Sequence, residues 1–260
     1  MDVKPDHGLI RRMEEVAMNA WPALQTVLYD GWVLRFTGGY TRRANSINPL
    51  YSPAGNAAEN IRACEELYRD RGLAPTFKMT SQRTPANLDM LLAERGYREQ
   101  ARTSLQFLEL SGRPGAISAE VILSEQATEA WLSGYWRMSS TPAGHHEINR
   151  QMLGCIVPSR RFAAISVDGQ VVACGLGVLQ DGMIGLFDIV TDPSQRRQGH
   201  AGRLIETLLE WGKGQGAQRS YLQVSLDNTA ALALYAKLGY HEAYQYWYRI
   251  KPLKDQTPTT

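Results

Sequence analysis

Cysteine is scarce in this chain of 260 residues: there are three, at 64, 155 and 174, far apart and in no C-x-x-C spacing. Neither a disulfide framework nor a zinc site can organise such a fold, and a reducing compartment fits it. Long apolar runs are missing as well. The longest, near Ala163 to Leu179, is broken by Asp168, Gly169 and Gln170 and does not suit a bilayer span. Met1-Asp2-Val3-Lys4-Pro5-Asp6 shows no charged stretch leading into an apolar one, so no secretory signal is visible and a cytoplasmic location is expected. Charge of one sign is also lacking. The formal net charge is +2 with Lys and Arg scattered, which leaves no electrostatic footprint for nucleic acid.

What is present is a globular composition, 43% hydrophobic and 21% charged, in a chain long enough for one large core or two ordinary ones. Helical spacing marks Gly8 to Ala20, a helix opened by Asn56 and closed at Gly72, and a helix capped by Thr84-Pro85 and ending at Gly96. Gly31 to Phe36 and Thr41 to Asn48 read as a strand pair turned at Gly38-Gly39. Strands are also expected at Phe77 to Met79 and Arg98 to Leu110. Ser111-Gly112-Arg113-Pro114-Gly115 then reads as a linker, dividing the chain into domains 1–112 and 116–254. The second half predicts a short strand near Glu120 to Leu123, two helices, and three strands over 161–190 with an Asp168-Gly169 hairpin turn. Helix 201–214, strand 220–224, helix 228–238 and strand 244–250 follow. Antiparallel strands followed by a β-α-β-α-β run give a mixed α/β, or α+β, class.

One internal similarity stands out. Leu91-Leu92-Ala93-Glu94-Arg95-Gly96-Tyr97-Arg98-Glu99 matches Leu234-Tyr235-Ala236-Lys237-Leu238-Gly239-Tyr240-His241-Glu242: the same helix end, the same Gly-Tyr exit and a strand after it. Two related halves are expected. Leu92 falls opposite Tyr235, and the first half has no comparable glycine-rich turn, so the N-terminal copy is read as degenerate.

The chemistry concentrates in Asp192-Pro193-Ser194-Gln195-Arg196-Arg197-Gln198-Gly199-His200-Ala201-Gly202, between a strand and an amphipathic helix. Small residues at 199, 201 and 202 let the backbone approach an anion, and a helix N-terminus offers unpaired N–H groups and a favourable dipole. A pyrophosphate suits that turn; so does plain helix capping.

Arg196-x-x-Gly199-x-Ala201 resembles the Q/R-x-x-G-x-G/A signature of the GCN5-related N-acetyltransferases, and Asn228-x-x-Ala231-x-x-x-Tyr235-x-x-x-Gly239-Tyr240 is similar to that family's second signature. The likeness covers about Glu120 to Ile250, and with the repeat it implies tandem folds of this type. It implies acetyl-CoA as cofactor. Backbone groups of Ile189, Val190 and Thr191 would pair with the pantetheine arm. Arg196, Arg197, Gln198, Gly199, His200, Ala201 and Gly202 would form the pyrophosphate turn. Asn228 would contact the cofactor arm, and Tyr235 would protonate the departing thiolate. Asn228 also suits an N-cap, and Tyr235 also suits packing against the sheet.

An ammonium acceptor must lose a proton before it attacks a thioester. Asp188, a carboxylate in the apolar run Ile184 to Val190, is the leading candidate; the other reading is an aspartate paired on the sheet face. His146 and Glu147 read first as residues of a solvated loop and second as candidates for lining an acceptor pocket or relaying a proton, and no metal partner stands at ligand spacing. Gly31-Trp32-Val33-Leu34-Arg35 and Thr41-Arg42-Arg43-Ala44-Asn45-Ser46 are similar to the extra domain of two-domain bacterial members, in particular kasugamycin 2'-N-acetyltransferases. That likeness implies an aminoglycoside acceptor, antibiotic inactivation, and an acidic pocket around Asp188, Glu147 and Asp192. An amino acid, polyamine or protein amine is the alternative acceptor, and a non-catalytic acyl-CoA sensor the alternative class. The expected partner is a small amine, without nucleic acid or membrane, in a monomer or homodimer.

Overall fold

Two compact units partition the chain in the computed structural model, which describes residues 7–81 and 87–253; the expected Thr84-Pro85 cap lies outside these. Of the described residues, 7–81, 87–104, 225–227 and 243–253 form the first unit, and 105–224 and 228–242 the second. The sequence placed the break at 112–116. In the structure, residues 105–109 already belong to the second unit, and the stretch expected as a linker is pinned inside it by a two-pronged Arg113–Glu206 ion pair at 2.6 and 2.8 Å.

The first unit opens with α1 (His7–Ala20), then β1 (Gln25–Tyr29), β2 (Trp32–Phe36) and β3 (Ile47–Asn48), and continues through α2 (Ala57–Arg69), β4 (Thr76–Thr80) and α3 (Leu88–Glu94) into β5 (Arg98–Glu109). β1 escaped the sequence reading. Its residues are half-buried or exposed, so it lacks the apolar signature that marked β2. The expected polar strand from Thr41 is also corrected: Arg42–Ala44 form a 3-10 turn, and only Ile47 and Asn48 pair with β2. Asn45 holds that turn. Its Oδ1 accepts from the N–H groups of Thr37 and Gly39, and its Nδ2 donates to Thr41 O.

The second unit comprises β6 (Ile122–Ser124), α4 (Glu129–Ser139), α5 (His146–Gly154), β7 (Ser159–Val167), β8 (Gln170–Gln180), β9 (Met183–Thr191), α6 (His200–Gly214), β10 (Arg219–Ser225) and α7 (Thr229–Lys237). β6 to β9 run antiparallel in order, and β10 joins β9 in parallel. Leu204, Ile205, Leu208 and Leu209 of α6 are fully buried. Each contributes about 1.5–3 kcal/mol by leaving water. The last strand, β11 (His241–Ile250), pairs through residues 246–250 with β4 in the first unit.

The internal repeat is real at atomic level. α3 and α7 end in the same closing pattern: Gly96 N–H to Ala93 O and Tyr97 N–H to Leu92 O in one, Gly239 N–H to Ala236 O and Tyr240 N–H to Tyr235 O in the other, each at 3.0 Å. The glycines adopt φ of +82° and +91°, which a side chain disfavours, and the tyrosines that follow are buried. Strand order repeats as well, with three antiparallel strands and then a parallel fourth.

β11 is bound tightly to the first unit. The Tyr244 hydroxyl donates to Glu14 Oε1 at 2.6 Å, and Arg249 meets Asp89 at 2.6 Å. A fragment of residues 1–112 therefore loses a strand and a buried partner for Glu14, and is expected to lack a cooperative thermal transition. A sharp melt of that fragment near the temperature of the intact chain would contradict this account.

Candidate functional site

Backbone geometry of β9 builds the site. Its register with β8 slips between Cys174 and Leu176, where Asp188 and Ile189 of β9 face one residue, Gly175. This is a bulge, and Asp188 at its centre takes φ of +52°. Gly175 accommodates it, since a Cβ there would meet Ile189 Cδ1 at 2.5 Å. On the other edge, β9 pairs with β10 from Met183–Arg219 to Leu186–Leu222; among the described residues the register stops there. Beyond it the β10-facing edge of Ile189, Val190 and Thr191 is open to an extended ligand.

The strand then turns into α6. Asp192 accepts from the Ser194 hydroxyl at 2.7 Å, pairs with Arg137 and accepts from the Ser194 N–H at 2.9 Å, and these bonds, the hydroxyl first, hold its carboxyl down to about 2. Arg197 and Gly199 follow with φ of +63° and +81°. The first α-helical bond of α6 runs from Arg203 N–H to Gly199 O at 3.0 Å, so the N–H groups of His200, Ala201 and Gly202 precede it. No acidic residue stands in this first turn. The arrangement suits an anion.

A cleft of about 650 Å³ lies in front of this turn. Of the residues nominated from sequence, Ile189, Val190 and Thr191 line it on one side, Arg196, Arg197, Gly199, His200, Ala201 and Gly202 at its end, and Asn228 and Tyr235 along α7. Gln198 is not in the lining; its side chain bonds to Gln195. Asn228 is an N-cap, as its alternative reading held: Oδ1 accepts from Ala231 N–H at 3.1 Å, which leaves Nδ2 as a donor. His200 is buried and accepts at Nδ1 from Arg203 at 2.9 Å.

Tyr235 is 8% exposed, and burial pushes its phenol up to about 12. Its ring packs edge-on against Tyr240 at 5.9 Å. Tyr240 is itself fixed. Ser220 Oγ donates to Ile184 O, so the Tyr240 hydroxyl is the donor in the 2.6 Å contact between the two side chains. Asp188 is half-buried next to the cleft rather than in its lining, with Oδ2 buried. Burial, reinforced by that carboxylate, pushes the Cys174 thiol well up.

The remaining nominees lie elsewhere. The His146 ring stacks on Trp136, centroids 4.0 Å apart and planes 8° from parallel, with Nε2 donating to Thr141 O. Glu147 is exposed and accepts from Gln151. Neither lines the cleft. The sequence reading missed Met138, Ala230, Leu234 and Lys237, which do. A signal was there: α7 is apolar almost throughout, yet only Tyr235 is buried, so Ala230, Ala231 and Leu234 face space that a ligand can fill.

Comparison with known proteins agrees with the class this geometry defines, an acyl-CoA-dependent N-acyltransferase of the GCN5-related type. A family model described as "Probable histone acetyltransferase Rv0428c C-terminal" matches residues 8–249, and the chain belongs to that family. The uncharacterized N-acetyltransferase YobR of Bacillus subtilis is 29% identical over 248 residues, 93% of this chain and 98% of that protein. The probable histone acetyltransferase Rv0428c of Mycobacterium tuberculosis is 30% identical over 235 residues, 89% and 70% of the two chains. A shorter match, 31% over 134 residues, covers 47% of this chain and 90% of the aminoglycoside N(6')-acetyltransferase type 1 of Serratia marcescens. Among solved structures, a GCN5-related N-acetyltransferase from Kribbella flavida shares the fold, with TM-score 0.67 and 16% identity over 95% of this chain and 96% of that one.

Gly199 is where this site and the stability of the chain meet. Alanine there finds space, its nearest neighbour being Arg203 Nη1 at 3.4 Å, but must hold φ of +81°. Gly199→Ala is expected to lose about 1–2 kcal/mol in urea denaturation and to weaken CoA binding in titration. Unchanged values of both would remove the strained turn from the account.

Proposed function

We propose that the second unit moves the acetyl group of acetyl-CoA to a primary amine of a small molecule, a reading carried by the parting of β9 from β10 beside a cleft lined by Tyr235 and the α6 turn. When bound, acetyl-CoA supplies an electrophilic thioester carbon and a thiolate leaving group. The chain supplies the rest. Backbone groups of Ile189 to Thr191 align the arm as an added strand, and the N–H groups of the α6 turn with Arg196 and Arg197 hold the diphosphate. Asn228 Nδ2 donates to the arm. The Tyr235 hydroxyl, kept neutral by burial, hands its proton to the departing sulfur. Asp188, set back from the cleft wall, takes the acceptor's proton through water.

For the acceptor, an aminoglycoside draws support from the Serratia match, which covers 90% of that aminoglycoside acetyltransferase. Kasugamycin in particular draws less. One of the two stretches that prompted it, Thr41–Ser46, is a turn held by its own hydrogen bonds, and two of the three carboxylates named for an acidic pocket, Asp192 and Glu147, stand near arginines at 137 and 150. A protein amine is the second reading, favoured by the Rv0428c likeness, which spans 89% of the chain.

Thiol release from acetyl-CoA, followed with kasugamycin, other aminoglycosides, polyamines and lysine- or alanine-terminated peptides, tests both. Release with one amine class identifies the acceptor, and tight cofactor binding without release from any amine would leave a sensor. Tyr235→Phe is expected to lower kcat about 100-fold with little change in CoA affinity. Because the Tyr235 phenol loses its proton only as pH rises through about 12, the parent enzyme should show no alkaline fall in kcat from this group below about pH 11. An undiminished rate in the phenylalanine variant would take Tyr235 out of the acid's role.

A further inference from the structure

Because the two units repeat one order of elements, features of the cleft in the second have counterparts in the first. Arg197 and Gln198 stand three and two residues before His200, where α6 begins; Ala54 and Gly55 stand at the same offsets before Ala57, where α2 begins. In the first unit these N–H groups are already taken. Ala54 N–H donates to Asp30 Oδ1 at 2.8 Å and Gly55 N–H to Asp30 Oδ2 at 2.9 Å. Asn60 Nδ2 adds a third bond, to Oδ2, at 2.7 Å. The Asn60 amide, followed by the two backbone donors, holds the Asp30 carboxyl below its ordinary range. A carboxylate thus takes the two N–H groups just before α2, and Asn56 Oδ1 takes that of Ala58 at 2.8 Å, the counterpart of Ala201 in the turn that the second unit leaves open to an anion.

The strand gap is filled in a similar way. β3 pairs with β4 at one position, Ile47 with Phe77, and the register goes no further among the described residues. Where β9 and β10 leave about 650 Å³, the space here is about 20 Å³, lined by Ile10 and Glu14 of α1, Asn48 of β3, Leu50 after it and Lys78 of β4. That is room for about one water. Glu14 and Lys78 form a buried ion pair at 2.6 Å, with the Tyr244 hydroxyl on the second carboxylate oxygen and the Tyr246 ring 4.1 Å from the ammonium. Leu92, fully buried, stands where the second unit has Tyr235.

We propose that the first unit is a cofactor fold closed by its own side chains, with the Asp30 carboxylate in the place of a phosphate and the Glu14–Lys78 pair in the place of the acyl-carrying arm, so that each chain binds one acyl-CoA. It rests on the reading of the second unit as an acyl-CoA site. Asp30 covers a latent anion site, and Glu14 reaches from a helix that the sequence marks only as amphipathic.

Equilibrium dialysis of the full chain with CoA counts the sites: one per chain is expected, and two overturns the proposal. Binding of none overturns the reading of the second unit, while a separate measurement on Asp30 still decides the proposal. Inorganic phosphate titrated into the Asp30→Ala chain should raise Tm by about 3 °C more than it raises the parent, any contribution of the second unit being common to both. Equal rises overturn the latent site. Should the alanine variant fail to fold, Asp30→Asn, which keeps one acceptor oxygen without the charge, is expected to show a smaller excess over the parent, and no excess overturns the proposal.

Discussion

The need of backbone N–H and C=O groups for partners governs the second unit. An interior strand normally has both edges claimed by its neighbours. β9 keeps β8 along nearly its whole length by absorbing one extra residue at Asp188, but its bond pattern with β10 ends at Leu186. The far end of β9 is therefore a sheet edge inside a sheet. The cleft, the opening of the α6 turn onto it and the exposure of the apolar face of α7 all follow from that one loss of register. A carboxylate at the bulge is thus explained first by backbone geometry, and any role in proton transfer is added to it.

Much of this was legible in the sequence because it is local. The α6 turn declares itself by Gly199 and the small residues after it, and the α7 exit by Gly239-Tyr240, since a left-handed residue at a helix end has few solutions. Periodicity found α1, α2 and α6 for the same reason. What stayed hidden depends on partners distant in sequence. β1 is an edge strand with no buried face to announce it, and Thr41–Ser46 looks extended until Asn45 folds it into a turn. Asp188 was noticed as a carboxylate in apolar company, but no pattern along the chain reveals a two-against-one register. Glu14, one polar residue in an amphipathic helix, gave no hint that it is buried against Lys78.

The two copies also show which parts of a fold tolerate loss of chemistry. Both retain the same helix closure, bond for bond, and the same buried tyrosine after it. The tyrosine hydroxyls have found different partners, Glu65 in the first unit and Ser220 in the second. Packing has been kept where the backbone demands it. The side chain one turn earlier, Leu92 or Tyr235, has been free to change because its surroundings accept either a leucine in the core or a phenol at a cleft wall.

The pairing of β4 with the last strand has a consequence for how the protein is made. Chains emerge from the ribosome N-terminus first, and domains generally fold as they appear. Here, the first unit waits for residues 243–250, since β4 keeps an open edge and Glu14 lacks the Tyr244 hydroxyl until they arrive. The half that is synthesised first is thus the half completed last, and through most of translation it presents a strand edge that chaperones have reason to cover.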